Sequence, residues 1–365
     1  MFVKKNLSIL SSIFLASSVL MAGCIKSEED MVTSNKATKE DDGKTVIGFS
    51  VGTTKEERWQ REVEMAKDFA KKNDFDLMVQ SAEEDASKQV KQVEDMITKG
   101  IDVLLISAQD SESAGTVIDV AHEAGVPVIA YDRLVRNGDL DYYVTFDTFK
   151  VGQLQAQSLV EKYPKGKYIW LLGGPEDFNA HLIKKGHESI LNPLIKKGEI
   201  KIVAQQWAKG WSPEEALKHT ENGLTAADND VVAVLASNDG TAGGAVQALA
   251  AQGLAGKVGV SGQDAALEGV QRVAEGTQTS TVYKPLKELN TVAMELALSL
   301  AEGDEEAAKA KVNGKTDNGT KEVPSVLIDV QTITKENMMD TIIKDGFHKM
   351  DDVYKNVPKS EWPKQ

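Results

Sequence analysis

Polar side chains that donate hydrogen bonds, and others that accept them, recur where predicted strands of this chain end. The clearest cases are Asp132 and Arg133 after VPVIAY, Asn238 after VVAVLA and Asp264 after VGVSG. In an open parallel sheet, ligands bind in the crevice at the carboxyl ends of the strands. The weaker members of the same array are Arg58 with Trp59, Asp177 with Asn179, and Lys284. The array predicts a divided binding site for a small, uncharged ligand that is rich in hydroxyl groups.

The chemistry of the array suits such a ligand. A sugar hydroxyl both donates and accepts hydrogen bonds, so its site needs carboxylate and amide acceptors as well as amide, guanidinium and ammonium donors. Aromatic faces can stack on the apolar side of a sugar ring, and Trp211 is the better candidate for that role. Trp59 also belongs to a helical stripe with Val63, Ala66 and Ala70, which predicts a core position.

Each of these residues also has a purely structural interpretation. Asn238 and Asp264 stand before predicted helices and could be N-caps, while Asp132 with Arg133 could form a surface ion pair. The two tryptophans could be ordinary core or surface residues. Unrelated helix caps would not be expected to place carboxylate, amide and guanidinium groups after one strand and then again after the next. The set as a whole therefore favours a binding site.

The beginning of the chain predicts export. Lys4 and Lys5 precede an apolar segment, and residues 1–23 end in Met-Ala-Gly before Cys24, which resembles the cleavage site of bacterial lipoproteins. We therefore expect a lipid anchor on Cys24. Because Cys24 is the only cysteine, we expect no intramolecular disulfide. Residues 24–44 are polar and predict a tether. The expected location is the outer face of the cytoplasmic membrane.

Composition and missing motifs exclude several functions. A net charge of −14 argues against a nucleic-acid partner. The sequence has no G-x-x-x-x-G-K-[ST] loop and no G-x-S-x-G motif, so we predict a protein that is not an enzyme and has no nucleotide cofactor. His181 and His187 are the one histidine pair that could suggest a metal, and we expect both to face solvent. The chain is expected to be a monomer without metal or cofactor.

The alternation of short β-rich segments with longer helical patterns predicts an α/β fold of two doubly wound parallel-sheet lobes. Five glycines mark expected helix ends, namely Gly100, Gly125, Gly198, Gly253 and Gly276. One helix and one strand after residue 284 return to the lobes, which gives a three-segment hinge. We assign residues 45–147 and 285–323 to the first lobe, 148–284 and 324–350 to the second, and 351–365 to a tail.

Longer motifs make the chain resemble the sugar-binding periplasmic proteins of the type I fold, and among them the D-xylose binders of bacterial ABC transporters. The shared segments include KEERWQ, VIAYDRLV, GGPEDFNAHL, QWAKGWSPEEAL, ASNDG, SGQDA and VYKP, and the resemblance spans about residues 46–350. It has two departures. Gly240 stands where alanine often follows Ser-Asn-Asp, and Phe178 lies inside an otherwise polar turn, so either could alter the sugar preference.

The resemblance implies a function and a set of partners. It implies that the lobes close on D-xylose or another aldose, and that the closed form delivers the sugar to a membrane permease whose ATPase is a separate chain. A sensor kinase is an alternative partner of the closed form. The sugar-contacting positions implied by the resemblance are Arg58, Trp59, Asp132, Arg133, Asp177, Asn179, Trp211, Asn238, Asp264 and Lys284.

Overall fold

A computed structural model of the protein describes residues 43–363. These residues alternate strands and helices in the predicted order. The strands are β1 Val46–Val51, β2 Asp76–Ser81, β3 Val103–Ser107, β4 Val128–Tyr131, β5 Tyr142–Phe146, β6 Gly166–Leu172, β7 Ile200–Trp207, β8 Ala233–Ala236, β9 Gly259–Val260, β10 Thr281–Tyr283, β11 Gly314–Asp317, β12 Glu322–Ile328 and β13 Gln331–Ile333. The α-helices are α1 Glu57–Asn73, α2 Ala86–Thr98, α3 Gly115–Glu123, α4 Thr148–Lys162, α5 Phe178–Lys196, α6 Pro213–Ala226, α7 Asp239–Ala251, α8 Leu267–Glu275, α9 Leu286–Ala301, α10 Glu305–Ala310 and α11 Met350–Val353.

The first lobe is built on a seven-stranded sheet with the order β11-β12-β5-β4-β3-β1-β2. Its strands pair in parallel except for the β11–β12 hairpin. One apolar cluster joins the sheet to α1 and α9 and contains Phe49, Trp59 and Met294. A second cluster holds Met96 of α2 and Ile118 of α3. Helices therefore cover the two faces, as the near-continuous apolar strands require.

The second lobe contains a four-stranded parallel sheet with the order β7-β6-β8-β9 and a short antiparallel pair, β10 with β13. The parallel sheets confirm the predicted α/β class. One boundary was predicted wrongly, because residues 324–328 had been assigned to the second lobe. They belong to β12, which pairs with β5 from Ser325 to Ile328 in the first sheet. The sequence of a lone strand does not reveal which sheet edge accepts it.

The chain passes between the two sheets three times, after β5, after β10 and after β12. The carboxyl ends of β1, β4, β6 and β8 meet at the resulting cleft. Residues 350–353, at the border of the predicted tail, form α11 and pack against α8 of the second lobe. The five glycines predicted at helix ends all have positive φ, from 67° to 85°. No helix within residues 43–363 is long and apolar enough to cross a bilayer.

Helices α4 and α5 cross closely behind the second sheet. A Cβ on Gly152 would lie 2.1 Å from the carbonyl oxygen of Ile183, and a Cβ on Gly186 would lie 2.2 Å from that of Phe149. Backbone atoms cannot move aside as a flexible side chain can. The two glycines therefore set the distance between α4, which follows the first crossing, and α5, which begins at the cleft.

Gly152→Ala is expected to lower the free energy of unfolding by about 1–3 kcal/mol, because the added methyl group forces the two helices apart. Chemical denaturation of the purified protein measures this change. Gly240→Ala in α7 is the matched control, since its Cβ would find its nearest atoms at 3.6 Å. That variant should be as stable as the parent or more stable by up to about 1 kcal/mol. Equal losses in both variants would contradict the close-crossing explanation.

Candidate ligand-binding site between the lobes

A cavity lies between the two lobes and is lined by side chains of both. The residues predicted from the sequence all line it. They are Arg58, Trp59, Asp132, Arg133, Asp177, Asn179, Trp211, Asn238, Asp264 and Lys284. These residues therefore lie together at one place in the molecule. Separate roles as helix caps and surface ion pairs do not explain why they do.

Arg58 is the centre of the charge arrangement. It lies in the first turn of α1 and is almost completely buried. Its guanidinium nitrogens lie 2.7 Å from a carboxylate oxygen of Glu62, 2.8 Å from Asp132 and 3.5 Å from Asp264. Burial lowers the pKa of Arg58, but these three carboxylates outweigh it and raise the pKa well above its usual value. The side chain is a permanent cation held by both lobes.

Asp132 follows β4 with a left-handed backbone, φ 60°, which turns its side chain away from the strand direction. Burial raises its pKa, while Arg58 and Lys284 lower it by more, so the pKa lies below its usual range. The main-chain oxygen of Asp132 accepts hydrogen bonds from Tyr143 and Thr145. The carboxylate is thus ionised and fixed in position.

The amino-terminal end of α5 supplies the second lobe's first group. Asp177 is the N-cap and accepts the backbone N–H of Asn179 at 2.9 Å. Its other oxygen lies 3.0 Å from Nε of Arg133, across the cleft. The amide of Asn179 donates to the main-chain oxygen of Asp132 at 2.9 Å. Both lobes therefore contact each other directly through the site residues.

Asn238 is a cap and a cavity residue at once. Its Oδ1 accepts the backbone N–H of Thr241 at 2.8 Å, and the Thr241 side chain completes a capping box at the start of α7. Because Oδ1 is used in this way, the amide nitrogen is the group that the residue offers to the cavity. Asp264, by contrast, is not a cap: α8 begins later, with Ala266 as its N-cap and without a side-chain cap bond.

Lys284 lies after β10, at the second crossing between the lobes. Its ammonium group is 2.8 Å from Asp264 and 3.9 Å from Asp132, and it stands 5.3 Å from the centre of the Phe146 ring. It links a carboxylate of each lobe at the hinge. Together with Arg58 it pairs with both carboxylates, so neither depends on a counter-ion from solvent.

The two tryptophans have different surroundings. Trp59 is buried in the core cluster of the first lobe, as its helical stripe predicted, and the guanidinium carbons of Arg58 and Arg133 lie 4.4 Å and 5.3 Å from its ring centre. Trp211 lies against Gly173 and Gly174, where a Cβ on Gly173 would be 2.3 Å from the indole ring. Trp59 therefore orients the arginines, and both tryptophans belong to the same core cluster and line the cavity.

Phe178 is the unexpected residue of the polar turn, and it does not line the cavity. Its ring packs against an apolar cluster of the first lobe, 4.6 Å below the guanidinium carbon of Arg136. Its backbone N–H donates to the Ser111 hydroxyl at 3.1 Å, and the Ser111 N–H donates to the Glu176 carbonyl at 3.1 Å. Phe178, which departs from the otherwise polar turn, thus forms a contact that holds the lobes together beside the site.

A second contact between the lobes lies on the α1 side of the cavity. A carboxylate oxygen of Glu57 accepts the Leu267 N–H at 3.2 Å, which supplies a capping acceptor to α8 from the other lobe. Arg61, one turn along α1, donates to the Phe347 carbonyl at 2.9 Å. The cavity is therefore flanked by lobe-to-lobe hydrogen bonds on two sides.

Some cavity residues were not among the predicted site residues. Glu56, Phe146, Thr148, Val151, Ile183 and Gln263 also line it. Burial raises the pKa of Glu56, although Arg133 acts in the opposite direction. Glu56 sits in the charged segment TKEER, which is typical of a solvated helix start, so its type and position gave no sign of the cavity. Gln263 directly precedes Asp264 in the chain.

The expectation that His187 faces solvent was wrong. His187 is fully buried in α5, where Nδ1 accepts a hydrogen bond from the Trp170 indole at 2.9 Å and Nε2 lies 2.8 Å from Oε1 of Gln155. Burial lowers its pKa to about 3, so the ring is neutral. Gln155 in turn donates to the carbonyls of Ser237 and Gly262, which precede Asn238 and Asp264. The ring supports the site and is not a metal ligand in this arrangement.

No cluster of His, Cys, Asp and Glu within the described part of the chain could hold a metal ion. Cys24, the predicted lipidation site, lies outside the described residues.

Comparison with known proteins agrees with this architecture. A family model described as a periplasmic binding protein domain matches residues 47–305. The chain belongs to this family. It is 47% identical over 308 residues to a D-xylose-binding periplasmic protein of Haemophilus influenzae, covering 84% of this chain and 92% of the relative. It is 46% identical over 303 residues to the D-xylose-binding periplasmic protein of Escherichia coli, covering 83% and 91%.

A solved structure gives the same fold. A carbohydrate transporter solute binding protein of Chloroflexus aurantiacus, in complex with D-glucose, matches with a TM-score of 0.79 and 31% identity. The match covers 84% of this chain and 97% of that one. These relatives are binding proteins in name and fold, which agrees with a site that holds a small molecule between two lobes.

Arg58→Met should lower the free energy of unfolding by about 3–5 kcal/mol near pH 7, because Glu62 and Asp132 are left buried without their cation. Burial already raises the pKa of Glu62 in the parent and would raise it further without Arg58, and the pKa of Asp132 would rise as well. The folded state gains protons as pH falls through these raised values, so the loss should be smaller at about pH 5 than at about pH 8. Urea denaturation at several pH values measures it.

Lys67→Met on the same helix is the control, because Lys67 pairs with Glu64 at an exposed site. Its loss should stay below about 1 kcal/mol and vary little with pH. A similarly small loss for Arg58→Met would show that the buried charges are relieved in another way.

Proposed function

We propose that this protein is an extracytoplasmic sugar receptor that closes on D-xylose and delivers it to the permease of an ABC transporter. The observation that carries the proposal is the convergence of ten polar and aromatic residues from both lobes on one cavity, where the charged members of this set pair with one another. A site with paired charges favours a neutral polar ligand over an ion. It is proposed as a binding site and not as a catalytic one.

The groups of the site are arranged for alternating donors and acceptors. Asp132 and Asp264 each use one oxygen for a cation of the site, which leaves the other as an acceptor for hydroxyl groups. Asn238 offers amide N–H groups, and Arg133 and Lys284 offer further donors. A ligand hydroxyl that meets such a pair is satisfied in both of its roles. A wrong epimer leaves one buried group unpaired at a cost of about 1–3 kcal/mol.

D-xylose is the proposed sugar because the relatives of 46–47% identity are D-xylose-binding proteins and cover nearly the whole described chain. The more distant relative of known structure holds D-glucose, which differs from D-xylose by one hydroxymethyl group. Another aldose is therefore the alternative ligand. The partner is proposed to be a permease that works with a separate ATPase chain, and a sensor kinase that recognises the closed lobes is the alternative.

Calorimetric titration with D-xylose, D-ribose, L-arabinose, D-glucose and D-galactose tests the proposed ligand. We expect D-xylose to bind at least about tenfold more tightly than its epimers, since one unpaired buried group accounts for a factor of this size. Heat with another aldose and none with D-xylose would reject the assignment while leaving the receptor function. Absence of heat with every sugar would reject the function itself.

Asp132→Ala is the matching variant for the same titration. It should weaken D-xylose binding by about 100-fold or more, because it removes an acceptor and frees one face of Arg58. Asp139→Ala is its control, since Asp139 forms an exposed pair with Lys321 after the same strand. That variant should bind as the parent does. Undiminished binding by Asp132→Ala would mean that the carboxylate only pairs with Arg58.

We propose that the receptor is held at the outer face of the membrane by a lipid on Cys24, on the strength of the Met-Ala-Gly-Cys sequence. Mass spectrometry of the protein extracted from membranes should give a mature chain that begins at a diacylated Cys24. Cys24→Ser should release the protein from the membrane fraction. A free amino terminus at any other residue in the membrane-bound form would contradict the anchor.

A further inference from the structure

The segment that carries Asp264 into the cavity has an unusual backbone. Asp264 has φ 89° and Ala265 has φ 48°, and two successive residues other than glycine rarely adopt positive φ. Such a conformation persists only where the surrounding structure holds it. The direction of the Asp264 carboxylate, and with it the bond to Lys284, depends on whatever fixes these two residues.

The neighbouring carboxylate of Asp239 contacts this segment from behind. One oxygen accepts the Ala266 N–H at 2.9 Å and the Thr281 hydroxyl at 2.9 Å, and the other accepts the side-chain amide of Gln278 at 2.8 Å. Thr281 also accepts the Ala265 N–H at 3.2 Å. Asp239 therefore holds the residues just after Asp264 in two ways, directly through the Ala266 N–H and indirectly through Thr281, which bonds to Ala265.

The main chain of Asp239 holds the segment on the other side. Its N–H donates to the Gln263 carbonyl at 3.0 Å, the residue just before Asp264. Gly262 and Gly269 press on the side chain, since a Cβ on them would lie 2.1 Å and 2.3 Å from Asp239 atoms. Asp239 is itself 3% exposed and is not among the residues that line the ligand cavity.

We propose that Asp239 is a positioning residue, which fixes Asp264 in its left-handed conformation and thereby sets sugar affinity without touching the sugar. The inference rests on the proposed function of the cavity. It assigns the third residue of Ser-Asn-Asp a role that differs from that of its neighbour Asn238. Sites hold their contact residues at the correct geometry only when a supporting layer of this kind is in place.

The chemistry of the three donors explains why a carboxylate is needed. The Ala266 N–H can only donate, and so can Nε2 of Gln278, whose Oε1 already accepts from Arg272, so both oxygens of residue 239 must accept. Asparagine has the same shape but replaces one acceptor with a donor. Asp239→Asn therefore keeps the volume of the side chain and breaks a hydrogen bond of residue 239, either to the segment itself or to Gln278, which holds the side chain against the segment.

A double-mutant cycle in sugar binding tests the positioning role. Asp239→Asn should weaken D-xylose binding by about tenfold in the parent protein, the effect of one misplaced buried hydrogen bond. In an Asp264→Asn background the same change should alter binding by less than about twofold, because its target is already lost. Asp230→Asn is the control, since Asp230 lies exposed before β8 with Lys167 as its partner.

Two outcomes of the binding measurements would overturn the proposal. One is an equal loss of affinity in both backgrounds, and the other is a lower melting temperature with unchanged sugar affinity, which a purely structural residue would give. Hydrogen exchange of the ligand-free protein provides a readout that needs no sugar. The amides of Ala265 and Ala266 should lose protection in Asp239→Asn while those of β8 keep it. If the parent binds no aldose, the proposed function fails, and unchanged exchange at these amides would separately reject the positioning role.

Discussion

The site is organised around a buried arginine that must be neutralised wherever the chain places it. A guanidinium in the first turn of α1 cannot be left without partners in the interior, and Glu62 on the same helix supplies only one carboxylate. The others come from Asp132 of the first lobe and Asp264 of the second. The same requirement therefore orients α1, the end of β4 and the segment after β9. The contact between Arg58 and Asp264 of the opposite lobe completes the neutralisation.

This origin explains why the cavity is polar yet balanced. Carboxylates that already pair with Arg58, Arg133 and Lys284 do not need a cationic ligand, and their remaining lone pairs are directed by those pairs. Pairs formed within one lobe, such as Arg58 with Asp132, fix these hydrogen-bonding groups before the ligand arrives, which limits the ordering cost of binding. Beneath them, neutral His187 and Gln155 hold the main-chain carbonyls that lead to Asn238 and Asp264. The rigid layer behind the cavity is as much part of the site as its lining.

Much of this could be predicted from the sequence because it depends on local pattern. Strand ends followed by Asp132, Asn238 and Asp264 are visible in one dimension, and the topology of a parallel sheet brings them together. Other features depend on distant partners. The assignment of β12 to the first sheet depends on an edge provided by β5, and the burial of His187 depends on Trp170 and Gln155. The sequence around β12 does not indicate that it pairs with β5, and the sequence around His187 does not indicate that it contacts Trp170 and Gln155. Glu56 was missed because a charged helix start looks the same whether it faces solvent or a cleft.

The turn from Gly174 to Asn179 divides two tasks between alternate residues. Asp177 and Asn179 face the cavity, while the Glu176 carbonyl and Phe178 contact Ser111 and the apolar surface of the opposite lobe. One short segment thus provides two side chains that line the cavity and, at the positions between and beside them, two groups that contact the opposite lobe. A substitution at residue 178 would therefore change how firmly the lobes hold together and leave the lining of the cavity at residues 177 and 179 as it is.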